Sequence, residues 1–300
     1  MKGEFHIHTV YSDGVKTVRE VLDVLKGNLD WFAITDHDVV EGSIEAYRLA
    51  KEYGLNALVG IEFSTYLNKE PVHILGYFKD DVDVYIVQDF LKDIRDKRLR
   101  RLYKTKDALL EYYGIDLDVT KIIERKSITR GTIATAIVEQ GFPYTRDEVF
   151  LKLIGNDCKA YVPVSHTSPM EAIDIIHKAK GIAVLAHPVL LKKNKFEDIC
   201  KLGVDGIEAI YPVNSKEDEE KFIKFANENN LVYTAGNDYH YDNCLNHGLA
   251  GWLWRLLRVY PNKVRWLAIH IFSPVLLKEE FPTVSCVWLK GKFFFLTEDF

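Results

Sequence analysis

Short apolar runs alternate with stretches of helical period from the first residues of this chain, and no other feature restricts its possible folds as much. Residues 4–9, 31–35, 57–64 and 72–78 read as strands. Between them, residues 15–26 place Val18, Val21, Leu22 and Leu25 at helical spacing, and residues 43–53 do the same with Ile44, Tyr47 and Leu49 before Gly54. Strand-helix-strand order predicts an α/β fold built on a parallel sheet or barrel. The rhythm stops near Asp80. Residues 82–113, 119–125, 132–139, 146–153 and 169–180 are helical by pattern. From Gly181 strands are expected again at 182–186, 206–211 and 231–235, separated by helices at 196–202 and 216–229. The expected organisation is a discontinuous barrel from residues 1–79 and 165–247, a helical insertion at 80–164, and an atypical tail at 248–300.

A chain of 300 residues can bury a large core, and 47% apolar with 28% charged residues excludes a disordered or fibrous protein. Mean hydropathy is -0.11, and no uncharged apolar run reaches the roughly 18 residues of a membrane span. No apolar leader follows Met1, so a cytoplasmic protein is expected. Cys158, Cys200, Cys244 and Cys286 form no CxxC pair and predict ordinary buried thiols. With a net charge of -5, stable binding to duplex nucleic acid is not expected, and an anionic substrate must be held locally by metal or a few basic residues. The tail carries Trp252, Trp254, Trp266 and Trp288, and its stretch 252–275 has Arg255, Arg258, Lys263 and Arg265 without an acid. It reads as an irregular segment packed on the body, with a basic amphipathic segment as the alternative. Oligomeric state leaves no signal.

Histidines and carboxylates mark strand after strand. His6 and His8 are two apart, which puts both imidazoles on one strand face, and Asp13 follows within a turn. Asp36, His37 and Asp38 end the second strand, Glu62 ends the third, and His73 lies inside the fourth. After the insertion His187 ends one strand, and Asp238 and His240 end another. In an α/β barrel the strand C-termini share one mouth, so these groups are expected to converge there. His6, His8, Asp13, His37, Glu62, His73, His187, Asp238 and His240 are too many ligands for one ion, and two or three divalent metals are implied. Imidazole and carboxylate without thiolate suit manganese, zinc or iron, and the ligand types do not choose among them.

In this order the motifs resemble the PHP (polymerase and histidinol phosphatase) metal-dependent phosphoesterases. The likeness runs over residues 1–240 through His6-x-His8 with Asp13, Thr35-Asp36-His37-Asp38, Gly60-Ile61-Glu62, His73-Ile74-Leu75-Gly76, Ala186-His187-Pro188 and Asn237-Asp238-Tyr239-His240. It implies a distorted seven-stranded β/α barrel with a trinuclear site. His6, His8, Glu62 and Asp238 would then hold one metal, Glu62 would bridge to a second held with His73 and His187, and Asp13, His37 and His240 would hold the third. Such metals lower the pKa of a bridging water and offset charge on phosphate oxygens, so no nucleophilic side chain is required. Asp36 is expected to orient His37 from behind.

The insertion is similar to that of the subfamily that removes the 3'-phosphate of nucleoside 3',5'-bisphosphates and trims short RNAs from the 5' end. The resembling stretches are Thr129-Arg130-Gly131-Thr132-Ile133-Ala134 and Lys159-Ala160-Tyr161-Val162-Pro163. The resemblance implies a helical lid over the metals, a small nucleotide or oligoribonucleotide substrate, and Arg98, Arg101 and Arg130 as phosphate-gripping candidates. For Arg98 and Arg101 a solvated basic helix face is the alternative. Arg130 begins a helix, where a cation opposes the dipole and an anion partner would relieve it. Thr132 stands where the subfamily often has His, and the tail lacks the subfamily's Gly-rich closing strand. Two other readings are a phosphatase for histidinol phosphate or a similar monoester, and a non-catalytic metal-bound scaffold. His166, His177, His247 and His270 are left with structural roles.

Overall fold

The computed structural model describes residues 2–80, 84–163 and 167–240, with the backbone of two later strands. Seven strands form one sheet in chain order: β1 (Gly3–Ile7), β2 (Trp31–Ile34), β3 (Asn56–Leu67), β4 (Glu70–Phe78), β5 (Ile182–Leu185), β6 (Gly206–Ile210) and β7 (Val232–Ala235). The sheet curls until its ends meet. The His8 N–H donates to the Tyr239 carbonyl at 2.8 Å, and the Tyr239 N–H returns to His6 at 3.1 Å, which makes the barrel nearly closed. Every residue of β1, β2 and β5 is buried, as expected of strands covered on both faces.

All neighbouring strands are parallel except β4, which runs antiparallel to both β3 and β5. The sequence pattern pointed to parallel strands throughout and ended the third near residue 64. Instead β3 and β4 continue to a two-residue turn at Asn68 and Lys69, whose φ values of 50° and 61° give the left-handed pair that a tight hairpin needs. Glu62 is therefore mid-strand. Because β4 points the other way, His73 near its start lies at the same barrel end as the C-termini of β1, β2, β5 and β7.

Helices cover the barrel where their apolar faces and caps dictate. Thr17 and Glu20 form a capping box at the start of α1 (Val18–Leu25), whose Val18, Val21, Leu22 and Leu25 are buried with Ile7, Phe32 and Ile34. The α2 helix (Glu41–Leu49) joins this layer through Ala46. On the other side, α7 (Pro169–Lys178, capped by Ser168 and Glu171), α8 (Phe196–Cys200) and α9 (Lys216–Glu228) pack over β3 to β7.

The insertion has its own core. In α3 (Val84–Tyr113), Val84, Val87, Leu91 and Ile94 are buried against the barrel, whereas Leu102 and Leu109 belong to a second cluster. That cluster takes in α4 (Thr120–Glu124), α5 (Arg130–Glu139), α6 (Arg146–Val149) and a π-helical turn at Phe150–Ile154. One long helix thus roots two hydrophobic cores.

The chain divides into two compact units, Met1–Leu256 and Leu257–Phe300. In the second, β8 (Val284–Leu289) and β9 (Lys292–Thr297) form an antiparallel pair, regular structure that the tail's sequence pattern did not suggest. The basic run at 252–275, His166, His247, His270 and Cys244 lie outside the described residues, as does the side chain of Cys286. Cys158 and Cys200 are free thiols, half-buried and buried. Among the described residues no helix is long and apolar enough to cross a membrane.

Candidate metal centre

Ile7 packs in the outer layer with Val18, Leu22 and Phe32, while His6 and His8, one residue to either side, turn inward. Inward, the imidazoles meet Glu62 from the middle of β3. Glu62 Oε2 lies 3.2 Å from His6 Nε2, 3.1 Å from His8 Nε2 and 3.1 Å from His37 Nδ1. Its other oxygen, Oε1, is 2.8 Å from His73 Nδ1 and 3.1 Å from His187 Nε2. One fully buried carboxylate therefore faces five imidazoles. Asp238 Oδ1 adds contacts of 3.4 Å to His6, 3.1 Å to His8 and 3.4 Å to His240, and Asp13 Oδ1 lies 3.3 Å from His240 Nε2.

Three sets of donor atoms each gather within 4.8 Å: His8, Asp13, His37 and His240; His6, His8, Glu62 and Asp238; and His37, Glu62 and His73. The second set matches the grouping the family resemblance implies. The others differ from it, because His37 and His8 are shared between sets and His187 joins none, reaching only Glu62 Oε1. His6 Nε2, His8 Nε2, Asp13 Oδ1 and Glu62 Oε2 are buried with no hydrogen-bond partner. Buried polar atoms are ordinarily satisfied, so orphans that point at one another fit divalent cations.

The electrostatics agree. Burial alone would raise the carboxyls of Asp13, Glu62 and Asp238, yet the surrounding histidines hold all three well below the usual range. Burial would lower His8, but Asp238 and Glu62 lift it to about 10; at His37 burial outweighs Glu62 and Asp13 and pushes it down to about 4. Carboxylates kept ionised beside neutral or proton-trapping imidazoles are the charge states that a cation exploits by displacing protons.

Asp36, expected behind His37, does something else. Its Oδ1 accepts from the Thr9 N–H at 2.7 Å and from Ser12 Oγ at 2.5 Å, and its Oδ2 accepts from Thr9 Oγ1 at 2.7 Å. It ties down the loop after β1, and Ser12 Oγ lies 3.5 Å from His8 Nδ1. Fully buried and committed to these donors, Asp36 acts on His8 and not on His37. Ser64 Oγ lies 3.2 Å from His37 Nδ1, the same nitrogen that faces Glu62.

Beside Asp13, His37 and His73 a cavity of about 220 Å³ opens toward the insertion, where Arg98, Arg101, Arg130, Tyr66, Phe150 and Tyr161 line it. Arg98 is only 6% exposed, not part of a solvated face. It donates to the Ile128 carbonyl at 2.7 Å and Ser64 Oγ at 2.9 Å, and pairs with the Asp38 carboxylate. Arg101 has a buried Nε with no partner, and burial together with the charges of Arg98 and Arg130 pushes its guanidinium down. Arg130 begins α5, donates to Asn156 Oδ1 at 2.8 Å, and lies 5.9 Å from the ring centres of Phe150 and Tyr161. The insertion also touches the cluster itself: Thr129 Oγ1 donates to Asp13 Oδ2 at 3.1 Å.

Sequence reading missed Glu208, buried on β6 with Oε1 at 3.0 Å from His6 Nδ1, and Tyr211, whose hydroxyl donates to Asp238 Oδ2 at 3.2 Å. Gly206-Ile207-Glu208 repeats Gly60-Ile61-Glu62, so an acid inside an apolar strand was the available signal. His177, left as structural, pairs on the surface with Asp205 at 2.7 Å.

A nearly closed α/β barrel whose mouth collects shared carboxylates and imidazoles defines a metal-dependent hydrolase. The PHP domain pattern matches residues 4–247, and the chain belongs to that family; it is a metal-dependent phosphoesterase. It is 31% identical over 248 residues to the 3',5'-nucleoside bisphosphate phosphatase of Chromobacterium violaceum, covering 79% of this chain and 86% of that protein. It is 28% identical over 251 residues to the 5'-3' exoribonuclease of Haemophilus influenzae, covering 80% and 90%. A crystal structure described as a metal-dependent phosphoesterase from Bifidobacterium adolescentis superposes with a TM-score of 0.73 at 28% identity, over 91% of this chain and 97% of that one.

Proposed function

We propose that the protein hydrolyses the 3'-phosphate of nucleoside 3',5'-bisphosphates, and by the same grip trims the 5' ends of short RNAs, with two or three divalent metals, manganese first. The observation that carries this reading is the single cavity that joins the metal-facing Asp13, His37 and His73 to the cations Arg101 and Arg130 and to the rings of Tyr66, Phe150 and Tyr161. Two anion-seeking regions in one cavity suit a substrate with two phosphates, and the rings lining it suit a base. The similarity to a nucleoside bisphosphate phosphatase and to an exoribonuclease supports the same class.

Bound metals supply an activated water and offset negative charge on the phosphate undergoing hydrolysis. The chain does the rest. His6, His8, Glu62 and Asp238 would hold one metal, Glu62, His73 and His37 a second, and Asp13, His37, His240 and His8 a third, with His187 beside Glu62. Arg101 and Arg130 take the phosphate that does not react, because Asp38 already neutralises Arg98. Arg98 therefore braces the insertion on the barrel, and the two remaining arginines are the grip. Helices of the insertion cover the cavity as a lid and limit water around the phosphate.

Histidinol phosphate is a poorer fit: its amine and imidazole would bring positive charge against Arg101 and Arg130. A metal-bound scaffold would use the same orphaned donor atoms, so turnover with metal restored is what separates it from the enzyme.

Arg130→Ala tests the grip. Losing one charge-assisted contact, worth about 1.5–3 kcal/mol, should lower kcat/KM for adenosine 3',5'-bisphosphate by about 10- to 100-fold. Hydrolysis of 4-nitrophenyl phosphate, which has no second anion, should change less than about 3-fold. Equal losses on both substrates would assign Arg130 a structural role.

A further inference from the structure

We propose that Glu208 is a positioning residue: it fixes the orientation of both His6 and His187 and so sets the affinity of the metals those two imidazoles reach. Its two oxygens serve two different ligands. Oε1 lies 3.0 Å from His6 Nδ1, and Oε2 accepts the backbone N–H of His187 at 2.7 Å. Since His6 Nε2 faces Glu62 and Asp238, the ring's hydrogen sits on Nδ1 and Glu208 holds that tautomer.

At His187 the role is to hold the backbone. This residue has φ of 26° and ψ of 61°, a conformation that non-glycine residues avoid, and it lies two residues past the end of β5. An N–H bond from that backbone to a carboxylate anchored on the neighbouring strand β6 keeps the imidazole turned toward Glu62. Gly236, just past β7, clears the space: a Cβ there would stand 2.3 Å from Glu208 Oε1 and 2.3 Å from His6 Cβ. Glu208 is completely buried and does not line the substrate cavity, so it acts through its two ligands and not on substrate. The set of His8, Asp13, His37 and His240 receives no hydrogen bond from it and serves as an internal control.

Glu208→Gln separates these roles. An amide offers one acceptor and one donor, so only one of the two N–H groups stays satisfied. In Mn²⁺ titrations of the metal-stripped protein by equilibrium dialysis, affinity should fall about 10- to 100-fold at the sites served by His6 and His187. The site built on Asp13 should keep its wild-type affinity, and saturating Mn²⁺ should restore kcat with substrate KM unchanged. Wild-type affinity at every site would overturn the proposal, as would an equal loss at all of them. A second measurement needs no variant: in ¹⁵N spectra of the Zn²⁺-loaded wild-type protein, His6 should be protonated at Nδ1 with a slowly exchanging proton. Protonation at Nε2 would contradict the assignment.

Discussion

Glu62 concentrates the account at the scale of single residues, since five imidazoles lie within 3.2 Å of its two oxygens. Burial would favour its neutral form, and those histidines outweigh the burial. Glu62→Gln keeps the shape and removes the charge that several ligands share. Metal affinity and kcat should both fall by more than about 100-fold while the far-ultraviolet circular dichroism stays native. A variant with wild-type metal content and turnover would show that the carboxylate is not the shared ligand. Most of these residues were legible because polar groups interrupt apolar strands in a regular place. Glu208 was not, since a group that contacts a histidine's far nitrogen leaves no spacing rule in the sequence. Asp36 was misplaced for a related reason: its neighbour in sequence is His37, but in space the β1 loop supplies better donors through Thr9 and Ser12.

At the scale of elements, α3 decides how the insertion meets the barrel. Its first turns are buried in the barrel core, its later ones in the second core, and Arg98 sits between them with Asp38 as partner. Arg98→Met strands a buried carboxylate and should cost about 3–5 kcal/mol in urea unfolding, most of it recovered by adding Asp38→Asn. A loss below about 1 kcal/mol would place the pair among the weak surface bridges. The helical pattern of α3 could be read from its periodicity, whereas the burial of Arg98 could not, because Arg95 to Arg101 looks like a solvated basic face. The β3–β4 hairpin was hidden too. Pro71 and the Asn68-Lys69 pair resemble a loop, yet β4 pairs with β5 only from Ile74 to Tyr77, so Pro71 occupies a stretch with no second neighbour to miss its N–H.

Across the whole molecule, the polar mouth makes stability depend on pH when metal is absent. His8 titrates near 6.5 unfolded and about 10 folded, so its contribution is complete below 6.5 and disappears as pH rises toward 10. Glu4, buried beneath the cluster, moves from 4.5 to about 8 and penalises folding increasingly over that interval. Both effects have one sign, so the metal-free protein should melt at progressively lower temperature from pH 7 to pH 10. Metal replaces the His8 proton and should flatten the slope. A metal-free melting temperature that is constant or rises over this range would contradict the assigned charge states. The barrel and its converging ligands follow from strand order, whereas the division of labour among the three arginines needed the folded insertion. The central claim is that this mouth is a metal centre acting on a nucleotide with two phosphates. Its most direct test is phosphate release from adenosine 3',5'-bisphosphate by metal-stripped protein before and after Mn²⁺ is restored. The account predicts no turnover before addition and formation of 5'-AMP after it; equal release in both states, or no release with metal bound, would contradict it.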